Sequence, residues 1–136
     1  MTISYRQAEI VREQIELCFY IGYPGVVHRA FEAQCIDTAT HLCGGCFVAD
    51  GTGYWREGAS QRATRFHGRQ VEERTLGIYL TTELAKETEV LAAMRAGIVQ
   101  AARNHGLQHS IQWVHVQRIP ITGLHFSINE EFRQAA

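Results

Sequence analysis

The chain has 136 residues, of which 46% are hydrophobic and 20% are charged, and its formal net charge is −1. We therefore expect one domain over residues 1–136 with a hydrophobic core of its own. A nearly neutral chain offers no electrostatic surface for nucleic acid or an anionic membrane, and no apolar run is long enough for a transmembrane helix. Because the N-terminus has no hydrophobic leader, the sequence predicts a cytoplasmic protein with reduced cysteines.

The first half of the chain predicts a strand, a helix and a second strand. A polar lead over 1–13 comes first, and alternating apolar residues over 15–21 then predict a half-buried strand. Apolar residues at helical spacing predict a helix over 27–42. A short second strand is expected over 46–49, followed by a long loop over 50–68, with a protruding hairpin as the alternative.

The second half repeats this order. Alternation over 74–80 predicts a third strand, and helical spacing predicts a long amphipathic helix that ends near 104–106. A fourth strand is expected over 111–119. Proline and glycine then predict a turn over 120–123, and the chain is expected to end with a short fifth strand over 124–128 and a polar tail over 129–136.

This order predicts an α+β fold of the ferredoxin-like kind. The simplest packing is a βαββαβ antiparallel sheet with both helices on one face, plus the extra C-terminal strand. The other face would then carry Tyr20, Tyr79 and Trp113, which are large for a surface that faces solvent. We therefore expect a homo-oligomer, either a dimer or a trimer.

The organisation over residues 14–128 resembles the PII and CutA group of small oligomeric proteins. The local resemblance is best from Gly44 to Gly68, where an apolar strand enters a Gly-x-Gly turn and a long loop that ends in Arg65-Phe66-His67-Gly68. The resemblance implies a binding or regulatory protein whose loop contacts protein partners and whose intersubunit clefts hold a ligand.

Two departures from that family concern nucleotide. The family's second phosphate-binding loop is glycine-rich and carries a lysine, whereas the equivalent 106–110 has one glycine and no lysine. The modifiable tyrosine of the recognition loop falls at Phe66, which has no hydroxyl group. Both departures argue against simple nucleotide binding and against nucleotidylylation of the loop, and no cofactor is expected.

The loop contains the densest recognition chemistry, because tyrosine, tryptophan and arginine dominate interface hot spots. Either the loop binds a small anionic ligand or a protein partner, or Trp55 folds back against the core or a subunit interface. The candidate binding residues are Gly51, Gly53, Tyr54, Trp55, Arg56, Arg65, His67 and Arg118.

Two other functions stay open. A cofactor-free enzyme would have its pocket on the sheet face at Tyr79, His115 and His125, provided that a hairpin at 120–123 places the two histidines on neighbouring strands. An adaptor or inhibitor protein would act by protein–protein contact alone.

A metal site at His41, Cys43 and Cys46 is a weaker candidate. The CxxC pair starts at the predicted C-terminus of a helix, where the helix dipole disfavours a thiolate. No second CxxC or histidine pair occurs at zinc-finger spacing, so buried structural cysteines are the favoured interpretation and no metal is expected.

Overall fold

The computed structural model describes residues 9–58, 65–111, 113–125 and 127–135. A short 3₁₀ turn over Leu84–Lys86 precedes the second helix. In chain order the other elements are β1 Glu9–Tyr23, α1 Arg29–Cys43, β2 Phe47–Arg56, β3 Gln70–Glu83, α2 Glu87–Asn104, β4 Val114–His125 and α3 Ile128–Ala135.

The four strands form one antiparallel sheet in the order β2-β3-β1-β4. This is the ferredoxin-like order, so the predicted fold class is confirmed. The core lies between one face of the sheet and the helices α1 and α2. Alternate residues of the central strand β1, such as Leu17 and Phe19, are buried there against Phe31 of α1 and Met94 of α2.

The helices begin and end where local chemistry dictates. The Nδ1 atom of His28 accepts a hydrogen bond from the backbone N–H of Phe31 and so caps α1. Gly44 ends that helix in the left-handed conformation, with φ of 76°, which glycine adopts without a Cβ penalty.

At Gly97 of α2, a Cβ would lie 2.5 Å from Cγ2 of Thr38, so glycine permits the close approach of the two helices. In the described part of the chain, no helix is both long and apolar enough to cross a membrane.

The predicted turn at 120–123 and the fifth strand over 124–128 are wrong. β4 continues through Pro120, which lies opposite Ile15 of β1. A proline is tolerated there because β4 is an edge strand and needs hydrogen bonds on one side only. The helix α3 begins at Ile128 and takes in most of the predicted polar tail over 129–136.

The predicted N-terminal lead over 1–13 is too long, because β1 begins at Glu9, opposite His125. The register of β1 and β4 shifts between Val11 and Gln14. A shift of this kind interrupts the alternation of side chains between the two faces, so the period-two pattern becomes visible only from Ile15 onward.

Much of the predicted loop over 50–68 is strand, and the protruding-hairpin alternative is confirmed. β2 and β3 pair as far as Arg56 and Gln70. β1 ends at Tyr23, opposite Arg74, so the residues beyond this point pair only with one another. We call residues 53–58 and 65–73 the arm. Glycine is disfavoured in the interior of strands. Because residues 50–53 contain two glycines, their sequence suggested a loop.

Candidate functional site

The face of the sheet opposite α1 and α2, here called the open face, carries a row of aromatic rings. Phe47, Tyr79, Tyr20 and His115 come from β2, β3, β1 and β4, which is the spatial order of the strands. The distances between consecutive ring centroids are 5.7, 5.9 and 6.0 Å. The aromatic row therefore crosses the whole sheet.

Strand register brings the aromatic row together. Phe47 lies opposite Tyr79, and Tyr20 lies opposite His115. The Tyr79 hydroxyl donates a hydrogen bond to the Tyr20 hydroxyl, with an oxygen–oxygen distance of 3.2 Å. At Gly77 a Cβ would lie 3.1 Å from Cε2 of Tyr79. Glycine at that position thus leaves room for the Tyr79 ring to lie over β3.

Two ionisable groups of the open face, Tyr20 and Cys18, are held in their neutral forms. The hydrogen bond with Tyr79, followed by burial, raises the pKa of Tyr20 to about 12. Burial, followed by a hydrogen bond to Glu16, raises the pKa of the Cys18 thiol to about 11. A thiol and a phenol that stay protonated at neutral pH supply neither a nucleophile nor a general base.

The two edges of the open face are apolar and exposed. Phe47, on edge strand β2, is 68% exposed. Ile119, on the opposite edge strand β4, lies opposite Glu16, which places it on the same face, and it is also exposed. Each edge of the open face therefore presents an exposed apolar side chain, and Glu16 lies between them on the same face.

The arm separates the predicted recognition residues onto its two faces. Tyr54 and Trp55 are neighbours in β2, so their side chains point to opposite sides. The hydroxyl of Tyr54 donates to Oε1 of Glu72 at 3.4 Å on the helix side. Trp55 lies opposite Val71 and shares the open face with Phe47. The predicted Tyr54–Trp55–Arg56 cluster is therefore not one surface.

Two arginines hold together the end of the described part of the arm, residues 56–58 and 65–69, which we call its tip. Nη1 of Arg56 donates to the backbone oxygen of Gly68 at 3.1 Å, and Nη2 of Arg69 lies 3.0 Å from Oε1 of Glu57. At Gly68 a Cβ would lie 1.8 Å from the backbone oxygen of Glu57. Arg65 and His67 lie exposed beside this contact.

A charged network that the sequence did not predict anchors the root of the arm. Nη2 of Arg74 lies 2.7 Å from Oδ2 of Asp50 and 3.2 Å from Oε1 of Glu32 on α1. The hydroxyl of Tyr23 donates to Oε2 of Glu32. Burial, and then this hydrogen bond, raises the pKa of Tyr23, and the bond to Glu32 raises the pKa of Arg74. In the sequence, Arg74 has the same alternation as the core-facing Leu76, and this was the signal that could have revealed the network.

Arg118 does not belong with the arm. It lies on β4, at the opposite edge of the sheet from β2. Its Nη2 atom donates to Oε2 of Glu87 at 2.9 Å, at the start of α2. This bond lowers the pKa of Glu87, so the contact is an ion pair between β4 and α2.

The predicted pocket at Tyr79, His115 and His125 is not assembled. The hairpin that was to place both histidines side by side is absent, and they lie on the same strand β4. Ten residues separate them along that strand, a distance of about 33 Å. Tyr79 and His115 share the aromatic row, with Tyr20 between them.

The three metal candidates do not form a ligand set. The Nδ1 atom of His41 lies 2.8 Å from the backbone oxygen of Asp37, while Cys43 and Cys46 pack against the core. Burial raises the pKa of both thiols, which disfavours the thiolate that metal binding needs. Within the described ranges no three histidine, cysteine or acidic side chains are grouped as a metal site.

No protein-family model and no curated protein matches the chain. Among solved structures, it is similar to CutA from Synechococcus elongatus PCC7942, with 11% sequence identity, a TM-score of 0.44, and coverage of 95% of this chain and 91% of that chain. Similarity at this level carries no information about ligands or partners. The fold assignment comes from the strand order and packing described above.

Proposed function

We propose that the protein is a small non-catalytic binding protein that self-associates through its open face and recognises a protein partner with its arm. The aromatic row, which crosses all four strands beside the exposed Phe47, is the observation that carries this proposal.

A second copy fits the chemistry of the open face. Aromatic residues are enriched at the centre of protein interfaces, while charged residues are depleted there. The hydroxyls of Tyr20 and Tyr79 bond to each other, so part of their polar surface is already satisfied. A two-fold contact would place the same patch on both copies and would cover the row from Phe47 to His115.

The arm extends beyond the end of β1, where its two strands pair only with each other. A two-stranded ribbon is at best marginally stable in water, and packing against a partner would stabilise it. Residues 53–73 contain four arginines and three glutamates, and Arg56 and Arg69 are engaged within the arm itself. This balance favours a protein surface over a small anion as the target of Trp55 and its neighbours.

Light scattering after size exclusion tests the self-association. We expect the wild-type chain to be oligomeric at micromolar concentration and Phe47→Asp to shift it to a smaller assembly, because a carboxylate would be buried in an apolar contact. Val26→Asp is the matched control, since Val26 is exposed between β1 and α1, away from the open face. A monomeric wild type, or equal effects of the two variants, would refute this part of the proposal.

Thermal unfolding with added phosphate or ATP tests the competing small-anion function. We expect no stabilisation by either compound at millimolar concentration. A ligand at one hundred times its dissociation constant would stabilise the fold by about 2.7 kcal/mol. A shift of that size that Trp55→Ala abolishes would replace the protein partner with a small anion.

A further inference from the structure

A second exposed apolar surface lies on the helix side of the sheet, far from the aromatic row. Between α2 and β4 is a groove with a volume of about 510 Å³, lined by Leu91, Arg95 and Val99 of α2 and by Trp113 and Val116 at the start of β4. Trp113 is 83% exposed. Among the described residues that line this α2–β4 groove, Arg95 is the only charged one.

The helix α3 carries the complementary feature. Ile128 and Phe132 are four residues apart and therefore share one side of the helix. They are 57% and 72% exposed. An isolated helix of eight residues is unstable in water unless its apolar side is packed against another surface. In the described structure, these two side chains are largely unpacked.

We infer that the Ile128–Phe132 side of α3 docks into the α2–β4 groove of a second copy of the chain. The eight residues of α3 form a helix of about 12 Å. The groove follows α2 from Leu91 to Ala102, a length of about 16 Å. The sequence of α3 has two glutamates and one arginine, so its net charge of −1 suits the positive charge of Arg95.

The groove lies beyond the reach of α3 in the same chain. Val116, the nearest β4 residue of the groove to α3, precedes His125 by nine residues in β4, which is about 30 Å. The connection from His125 to Ile128 spans at most about 10 Å, and Phe132 lies about 6 Å further along the helix. Even folded back along β4, the apolar side of α3 falls short of the groove. The α3 helix that we place in the groove therefore belongs to another copy.

This contact is distinct from association through the open face. It joins two different surfaces, α3 of one copy and the groove of the next, so it is heterologous unless both copies exchange helices reciprocally. It uses neither Phe47 nor Trp55. The two associations can therefore be tested separately.

Cross-linking between two variants tests the docking. One variant carries Phe132→Cys and the other carries Val99→Cys, both in the Phe47→Asp background, so that association through the open face is suppressed. Under mild oxidation, we expect a covalent dimer when the two variants are mixed and little when either is oxidised alone. Because Cys43 and Cys46 are partly accessible, the Phe47→Asp chain without added cysteines is the blank.

Several outcomes would overturn the inference. One is the absence of any cross-link above the blank. Another is an equally strong cross-link with Phe132→Cys alone, which would indicate contact between two α3 helices. The third is an equally strong cross-link with Val99→Cys alone, which would indicate contact between two grooves.

A second measurement does not need added cysteines. We expect Phe132→Asp to lower the association constant at least tenfold in the Phe47→Asp background, whereas Glu130→Asp, which keeps the charge on the opposite side of α3, leaves it within a factor of two. Equal effects of these two variants would also contradict the docking.

Discussion

At the scale of single residues, Arg74 shows how a charge can be an element of the core. It lies in phase with Leu76 and Ile78 and bridges Glu32 and Asp50. A buried ion pair is costly to form, but removing one partner leaves the other charge buried and uncompensated. Removing Arg74 would therefore leave Glu32 and Asp50, at the root of the arm, without their shared cationic partner.

We expect Arg74→Met to destabilise the protein by about 3 kcal/mol, because Glu32 would lose its ion-pair partner in a nearly buried position. Urea unfolding at neutral pH measures this. Arg69→Met is the matched control, since it removes the exposed pair with Glu57 and should cost less than about 1 kcal/mol. Similar losses in both variants would show that the Arg74 network is no more than a surface ion pair.

At the scale of elements, the arm was the least predictable part of the described chain. Gly51 and Gly53 lower strand propensity, so the sequence pattern favoured a loop. Cross-strand pairing with β3 overrides this preference, and the tip is closed by the bond between Glu57 N–H and the Arg69 oxygen at 3.0 Å. Pairing between distant segments is not visible in a local window.

We expect Gly68→Ala to open the tip of the arm, because the added Cβ would meet the backbone oxygen of Glu57, which a side-chain rotation cannot relieve. Limited proteolysis should cleave the arm at least several-fold faster, and stability should fall by about 1–3 kcal/mol. Gly51→Ala is the control, since nothing lies within 4 Å of its Cβ position. Equal protease resistance of the two variants would show that the Gly68 contact does not hold the tip.

At the scale of the whole molecule, two exposed apolar surfaces lie on opposite sides of the sheet. Association through the open face would bring together the same surface of two copies. Docking of α3 into the α2–β4 groove would bring together two different surfaces. A heterologous contact produces a ring if its rotation closes and an open chain if it does not. The two proposed contacts together would determine the size of the assembly.

The fluorescence of Trp113 can report whether the groove is occupied, because Trp113 lines it. In a Trp55→Phe variant it is the single tryptophan, and α3 docking should bury its exposed ring. We expect its emission to shift to shorter wavelength as protein concentration rises, and Phe132→Asp to abolish this shift. Association seen by light scattering with unchanged emission would show that copies meet elsewhere.

The sequence by itself determined the order of elements up to β4 and the fold class. Apolar residues alternate in β1 and β3 and have helical spacing in α1 and α2, because each of these elements buries one of its sides. Such burial leaves a pattern that is visible in a short stretch of sequence. Only the tertiary structure decided that Pro120 continues an edge strand, that His115 and His125 are far apart, and that Tyr54 and Trp55 face opposite ways. These depend on strand pairing and on position in the sheet, which are set by partners distant in the chain.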